Sequence, residues 1–158
     1  MTTSPKTAEK AVDLLRLDRQ ICFTLNTASR AFGGLYRELL KDLGLTYPQY
    51  LAMLVLWENG PLPVKRLGEL LRLETSTLSP LIKRLETFGY VRRERSTEDE
   101  RSVTVVLTPT GAALRDKAVD VPPRIIAGTG LTPAEIDQLQ DLLARATVSL
   151  DAATAAIH

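Results

Sequence analysis

Cysteine and histidine are almost absent from this chain of 158 residues, which holds one of each, Cys22 and the terminal His158. A single cysteine excludes an intramolecular disulfide, and there is no Cys/His cluster at metal-ligand spacing. With no internal histidine the usual general base is missing, which argues against histidine-dependent enzyme chemistry; no catalytic residue, metal or cofactor is expected. No apolar run approaches the roughly 20 residues that a membrane span needs. The polar start "MTTSPKTAEK" lacks the apolar core of a secretory signal. A cytoplasmic chain with no membrane partner is expected. The net charge is only +1, so no excess of one sign marks the chain as a whole.

What is present is an ordinary globular composition, 44% hydrophobic and 25% charged, at a length that fits one domain with dimerising appendages. Residues 1–10 read as a flexible arm and 11–158 as a single domain. The charge is unevenly placed. Residues 61–95 carry eight basic side chains (Lys65, Arg66, Arg72, Lys83, Arg84, Arg92, Arg93, Arg95) against four glutamates, so a basic centre lies between acidic flanks.

Helix starts are legible. Thr46 with Gln49 and Thr132 with Glu135 have capping-box spacing, and Thr108 can cap a helix that has Pro109 at its first position. With the apolar periodicity, these signals predict helices at 11–32, 35–43, 47–59, 63–71, 75–89, 109–127 and 133–156. Between the fifth and sixth, "YVRRERSTEDERSVTVVLT" alternates at period two around a charged loop, which predicts a two-stranded wing. Leu14, Leu17, Ile21, Leu25, Ala28 and Phe32 form an apolar stripe at one end of the chain. Ile136, Leu139, Leu143, Ala146, Leu150, Ala153 and Ile157 form another, and long stripes at both ends predict a helical dimer interface. The expected fold is mainly α with a two-stranded β-wing, a winged helix-turn-helix that dimerises through its N- and C-terminal helices.

The stretch "PVKRLGELLRLETSTLSPLIKRLETFGY" is the most informative. A short helix turns in Leu67, Leu70 and Leu71, and a second turns in Leu78, Leu81, Ile82, Leu85 and Phe88. The opposite face of the second helix carries Ser76, Ser79, Pro80 and Lys83, flanked by Thr75, Thr77 and Arg84. Small hydroxyls with two bases suit a helix that enters a groove of double-stranded DNA. Pro80 is tolerable only near the start of the helix, so the groove-facing end is its N-terminal end. The wing adds Arg92, Arg93 and Arg95 on one arm and Arg101 at the tip, where an arginine can enter a minor groove. Asp99, two residues earlier, can brace its guanidinium.

"TYPQYLAMLVLWE", "STLSPLIKRLE" and "RRERSTEDERSV", in that order after a cysteine on the first helix, resemble the MarR-family winged-helix repressors, specifically the one-cysteine organic-hydroperoxide sensors. The resemblance runs over roughly residues 14–150. It implies a homodimer with residues 47–108 as the DNA-binding region and residues 11–45 plus 109–158 as dimerisation helices. It also implies a recognition helix at 75–88, Arg101 in the minor groove braced by Asp99, and a pseudo-palindromic operator.

The resemblance further implies that an organic hydroperoxide oxidises Cys22, that a small cellular thiol resolves it, and that the hydroxyls of Tyr36 and Tyr47 hydrogen-bond the sulfur. On one continuous helix Tyr36 would lie about 21 Å from Cys22, so the tyrosines are expected from the dimer mate. A tyrosine that some members carry four residues after the cysteine is Asn26 here. Phe23, Phe32 and Trp57 are expected to supply apolar surface near the sulfur. From the residues alone Cys22 reads equally as packing. The alternatives are a repressor of the same fold controlled by an aromatic or phenolic ligand in the dimer cleft, a thiol peroxidase, and a winged helix used only for protein contacts.

Overall fold

The computed structural model describes residues 14–158, so the expected arm at 1–10 and the start of the helix expected from 11 lie outside the described residues. After a 3₁₀ turn at Leu17–Arg19, α1 runs Ile21–Leu39, followed by a second 3₁₀ turn at Lys41–Leu43. Then come α2 (Tyr47–Asn59), β1 (Leu62–Pro63), α3 (Val64–Leu71), α4 (Thr75–Thr87), β2 (Val91–Arg95) and β3 (Val103–Leu107). The chain closes with α5 (Pro109–Ala118), α6 (Val121–Thr129) and α7 (Pro133–Ile157). It divides into two compact units after Val121.

The core of the first unit is aliphatic: Leu40, Met53, Leu56, Leu67, Leu78, Ile82, Leu85, Val91 and Val105 are essentially inaccessible. Burying each such side chain contributes about 1.5–3 kcal/mol, and together they clamp α2, α3 and α4 against the sheet. Two expected core residues fall outside it. Phe88 is 48% exposed and meets Tyr90 edge-on, and Leu70 is 43% exposed. Phe88 caps α4 with helical backbone, its N–H donating to the Arg84 carbonyl, and its ring is left exposed beside Tyr90.

The three anticipated caps form. Thr46 and Thr132 each close a full capping box with Gln49 and Glu135, and the Thr108 hydroxyl accepts from the Gly111 N–H. Three boundaries differ from expectation. The helix predicted from 11 is interrupted at Gln20, which is extended; its side-chain amide donates to the carbonyls of Leu14 and Arg16 and stabilises a bend. The break expected at Gly33–Gly34 does not occur. Two glycines in a helix cost roughly 1 kcal/mol each, and Tyr36, Leu39 and Leu40 beyond them are anchored in packing that carries α1 through. The helix predicted at 109–127 is two helices, because Pro122 and Pro123 disfavour helical backbone before them yet fit the first turn of α6.

The wing gains a strand. The sheet has the order β1-β3-β2, all antiparallel, with Val91 opposite Leu107, Arg95 opposite Val103, and Leu62 opposite Val105. Pro63 lacks a backbone N–H, which is tolerated because β1 is an edge strand. The wing loop is self-supported: the Ser96 hydroxyl accepts from the N–H groups of Glu98 and Asp99, and the Ser96 N–H donates to the Ser102 carbonyl.

Candidate nucleic-acid interface and thiol site

Helix α4 buries Leu78, Leu81, Ile82 and Leu85 and leaves Thr75, Ser76, Thr77, Ser79, Pro80, Lys83 and Arg84 exposed. The expected face is therefore one continuous solvent-facing strip. Pro80 lies in the second turn, where its missing N–H leaves the Ser76 carbonyl without its helical donor. The helix tolerates this because that side faces water, which can bond the carbonyl.

The wing arginines are not equivalent. Arg93 is tied back to α4: its backbone N–H donates to Glu86 Oε1 at 3.3 Å, and its guanidinium donates to Oε2 at 3.1 Å, with an ion-pair distance of 3.0 Å. Arg92 pairs with Glu94 at 2.6 Å. Asp99 does hold Arg101, but through the backbone: Oδ1 accepts from the Arg101 N–H at 3.0 Å, where a brace on the guanidinium was expected. The carboxylate shapes the turn at the tip and leaves Arg101 exposed.

Between α3, the start of α4 and the wing runs a groove of about 380 Å³ lined by Lys65, Thr75, Arg93, Asp99 and Arg101, among others. Lys65, counted in the basic centre but not expected at the interface, faces this groove from the first turn of α3. The charge excess of residues 61–95 and the "VKR" at the head of the short helix were its signals.

Cys22 is exposed in the first turn of α1, and the Asn26 side-chain amide approaches its Sγ at 3.8 Å. Tyr36 and Tyr47 are brought together: their ring centroids lie 4.6 Å apart, with Tyr50 at 5.8 Å from Tyr36. Tyr50, buried and three residues after Tyr47 on α2, completes a cluster that sequence reasoning missed; the i, i+3 spacing was its signal. Because α1 is unbroken, Tyr36 stands about 21 Å along the helix axis from Cys22. One chain therefore does not unite the sulfur with the tyrosines. Trp57 serves a different end from the one expected, donating its Nε1–H to the Gly111 carbonyl at 2.9 Å and so fixing the start of α5.

Burial, with Tyr47 and Tyr50 close by, pushes the Tyr36 hydroxyl up to about 12, and burial raises Tyr50 in the same direction. The hydroxyl remains a proton donor across the physiological range. A phenol held protonated in the fold makes the unfolded state lose its proton first, so the Tyr36 contribution to stability is complete below pH 10. It is expected to be lost as pH rises from about 10 to about 12. Urea midpoints followed across this window should fall less steeply in Tyr36→Phe than in the wild type; equal slopes would contradict the assignment.

Residues 34–118 match the family model described as transcriptional regulator SarA/Rot. The chain is 45% identical over 135 residues to the organic hydroperoxide resistance transcriptional regulator of Bacillus subtilis, covering 85% of this chain and 92% of that one. The chain belongs to the MarR/SarA-type winged-helix transcriptional regulators, among those related to organic hydroperoxide regulators. The HTH-type transcriptional regulator TtmR of Methylorubrum extorquens is 50% identical over 129 residues, 81% of this chain and 66% of that protein. Among solved structures, reduced AbfR bound to DNA, from a protein of Staphylococcus epidermidis, superposes with a TM-score of 0.72 at 33% identity, covering 90% and 99% of the two chains. As a MarR/SarA-type regulator the protein is DNA-binding, and α3, α4 and the sheet are its winged helix. Among the described residues no helix is long and apolar enough to cross a membrane.

Proposed function

We propose that the protein is a homodimeric repressor that holds a pseudo-palindromic DNA operator while reduced and releases it when an organic hydroperoxide oxidises Cys22. The observation that carries this reading is the chain's sole cysteine, exposed on α1 of a protein 45% identical to an organic hydroperoxide resistance regulator. The thiolate attacks the terminal peroxide oxygen, the O–O bond breaks, and the departing alkoxide takes up a proton to leave as alcohol. Cys22 becomes a sulfenic acid. A small cellular thiol then condenses with it, forming a mixed disulfide and water, since no second cysteine can resolve it within the chain.

Dimerisation is assigned to residues 11–45 and 109–158, and DNA binding to 47–108. Ile21, Leu25 and Phe32 on α1 are exposed in the single chain, as are Leu139, Leu143, Leu150 and Ile157 on α7, which suits a surface made to be covered. Tyr36 and Tyr47 are assigned to the sulfur of the partner subunit, because α1 keeps them from their own. The exposed strip of α4 (Thr75, Ser76, Thr77, Ser79, Pro80, Lys83, Arg84) is assigned to the major groove and Arg101 to the minor groove. Arg93, held by Glu86, sets the angle of the wing on α4 at the interface, with Asp99 shaping its tip.

The test is a titration of reduced and cumene-hydroperoxide-treated protein against DNA fragments selected from a random pool by the reduced form, with intact mass to locate the adduct. Release requiring oxidation supports the proposal. Release of the reduced protein by a phenolic acid alone favours the ligand-controlled reading.

Two outcomes are expected at the interface. Arg101→Ala should weaken operator binding by about 1–3 kcal/mol with the dimer intact; unchanged affinity at matched salt would remove Arg101 from the complex. A dimer contacting about six phosphates should show a slope near −5 for log affinity against log salt, and Lys65→Gln, altered in both subunits, should flatten it by about 2. A slope near zero in the wild type would refute the phosphate contacts.

A further inference from the structure

We infer that Asn26 is a positioning residue for the Cys22 sulfur: its side-chain amide, one turn along α1, donates to Sγ and holds the sulfur in one orientation for attack. This rests on the reading of Cys22 as the reacting thiol. The contact is 3.8 Å between Nδ2 and Sγ, within the longer reach of a sulfur acceptor, and both side chains face solvent.

Residues four apart on a helix stand one above the other, so this donor is built into α1 and travels with the sulfur whatever the second subunit does. The tyrosine pair is different. It lies about 21 Å along the same helix and reaches a sulfur only across a dimer. The donor set is thus divided into one member fixed by the helix and one that depends on the arrangement of the subunits. An amide also never ionises, so it places no negative charge beside a thiolate at any pH.

A sulfur held in one orientation loses fewer encounters to misalignment, and a hydrogen bond of this kind is worth roughly a threefold to tenfold change in rate. In the step itself the thiolate forms an S–O bond to the terminal oxygen, the O–O bond breaks, sulfur loses two electrons, and the peroxide is reduced to the alcohol.

The experiment measures oxidation of the reduced full-length protein by excess cumene hydroperoxide at about pH 7. Intact mass follows the reaction, and peptide mapping locates it. Asn26→Ala is expected to react about threefold more slowly. Asn26→Asp has almost the same shape but no N–H and a like charge facing the thiolate, and should be slower by about tenfold or more. Asn26→Gln keeps the amide and should stay within about twofold of wild type. Operator affinity of the reduced protein and helix content should not change in any of the three. A purely structural asparagine would tolerate its isostere aspartate best, the reverse order. Alanine and aspartate variants reacting at the wild-type rate would overturn the inference while leaving Cys22 as the sensor. A wild-type protein whose mass gain maps away from Cys22 would overturn both.

Discussion

Gly111→Ala is expected to destabilise the protein by about 3–5 kcal/mol and to lower its melting temperature by roughly 10 °C at fixed concentration. Gly111 lies in the first turn of α5, where alanine would ordinarily favour the helix by about 1 kcal/mol. Packing decides the other way. A Cβ there would overlap the Tyr90 carbonyl oxygen and stand 2.8 Å from its carbon, and both are backbone atoms that no rotamer change can move.

The chains cross at the base of the wing, where the Thr108 N–H donates to the Tyr90 carbonyl at 3.0 Å and Trp57 holds the Gly111 carbonyl. Forcing the two segments apart strains or breaks these bonds together, and it displaces the wing that starts at Val91. Operator affinity should therefore fall along with stability. A variant that melts like the wild type would mean the crossing can open without cost. Trp57→Phe, which removes the N–H and keeps most of the ring, should lose only about 1 kcal/mol by comparison.

Features written in local chemistry were legible in the sequence. Thr46–Gln49, Thr132–Glu135 and Thr108–Pro109 each act within one helical turn, and each begins a helix where expected. The buried face of α4 followed from period alone, and the period-two run at 103–107 does form β3, although only Val105 of it is buried. What escaped depends on contacts far apart in the chain. Gly33–Gly34 read as a stop because local propensity says so, and the packing of Tyr36 against Tyr47 and Tyr50 overrules it. β1 is two residues long and contains a proline, so no periodicity could announce it; it exists because β3 offers an open edge. Nothing local to Arg93 announces its tie to Glu86, which lies on another element. At the thiol site the sequence supplied the residues and the helix supplied their separation. An unbroken α1 turns the expectation of a shared site into a requirement if the tyrosines are to serve the sulfur at all.

Cys22→Ser is expected to bind the selected DNA as tightly as the reduced wild type and to stay bound after cumene hydroperoxide and a small thiol are added. Under the same treatment the wild type should weaken by about 100-fold, the upper range of coupling free energies between sites. The substitution is nearly isosteric and lies on an exposed turn of α1, far from α4 in sequence and outside the buried core, so it removes no packing. It does remove the chemistry, because a hydroxyl neither forms a thiolate at neutral pH nor climbs the sulfur oxidation ladder. Met53 offers no substitute, being fully buried in α2 and shielded from a bulky peroxide. Two readings separate at this point. A serine variant that still releases DNA on peroxide treatment would return Cys22 to the role of a surface residue and place the oxidation elsewhere. A serine variant that ignores peroxide but releases DNA with a phenolic acid would show that the fold is switched by ligand binding, and that the cysteine is a second input.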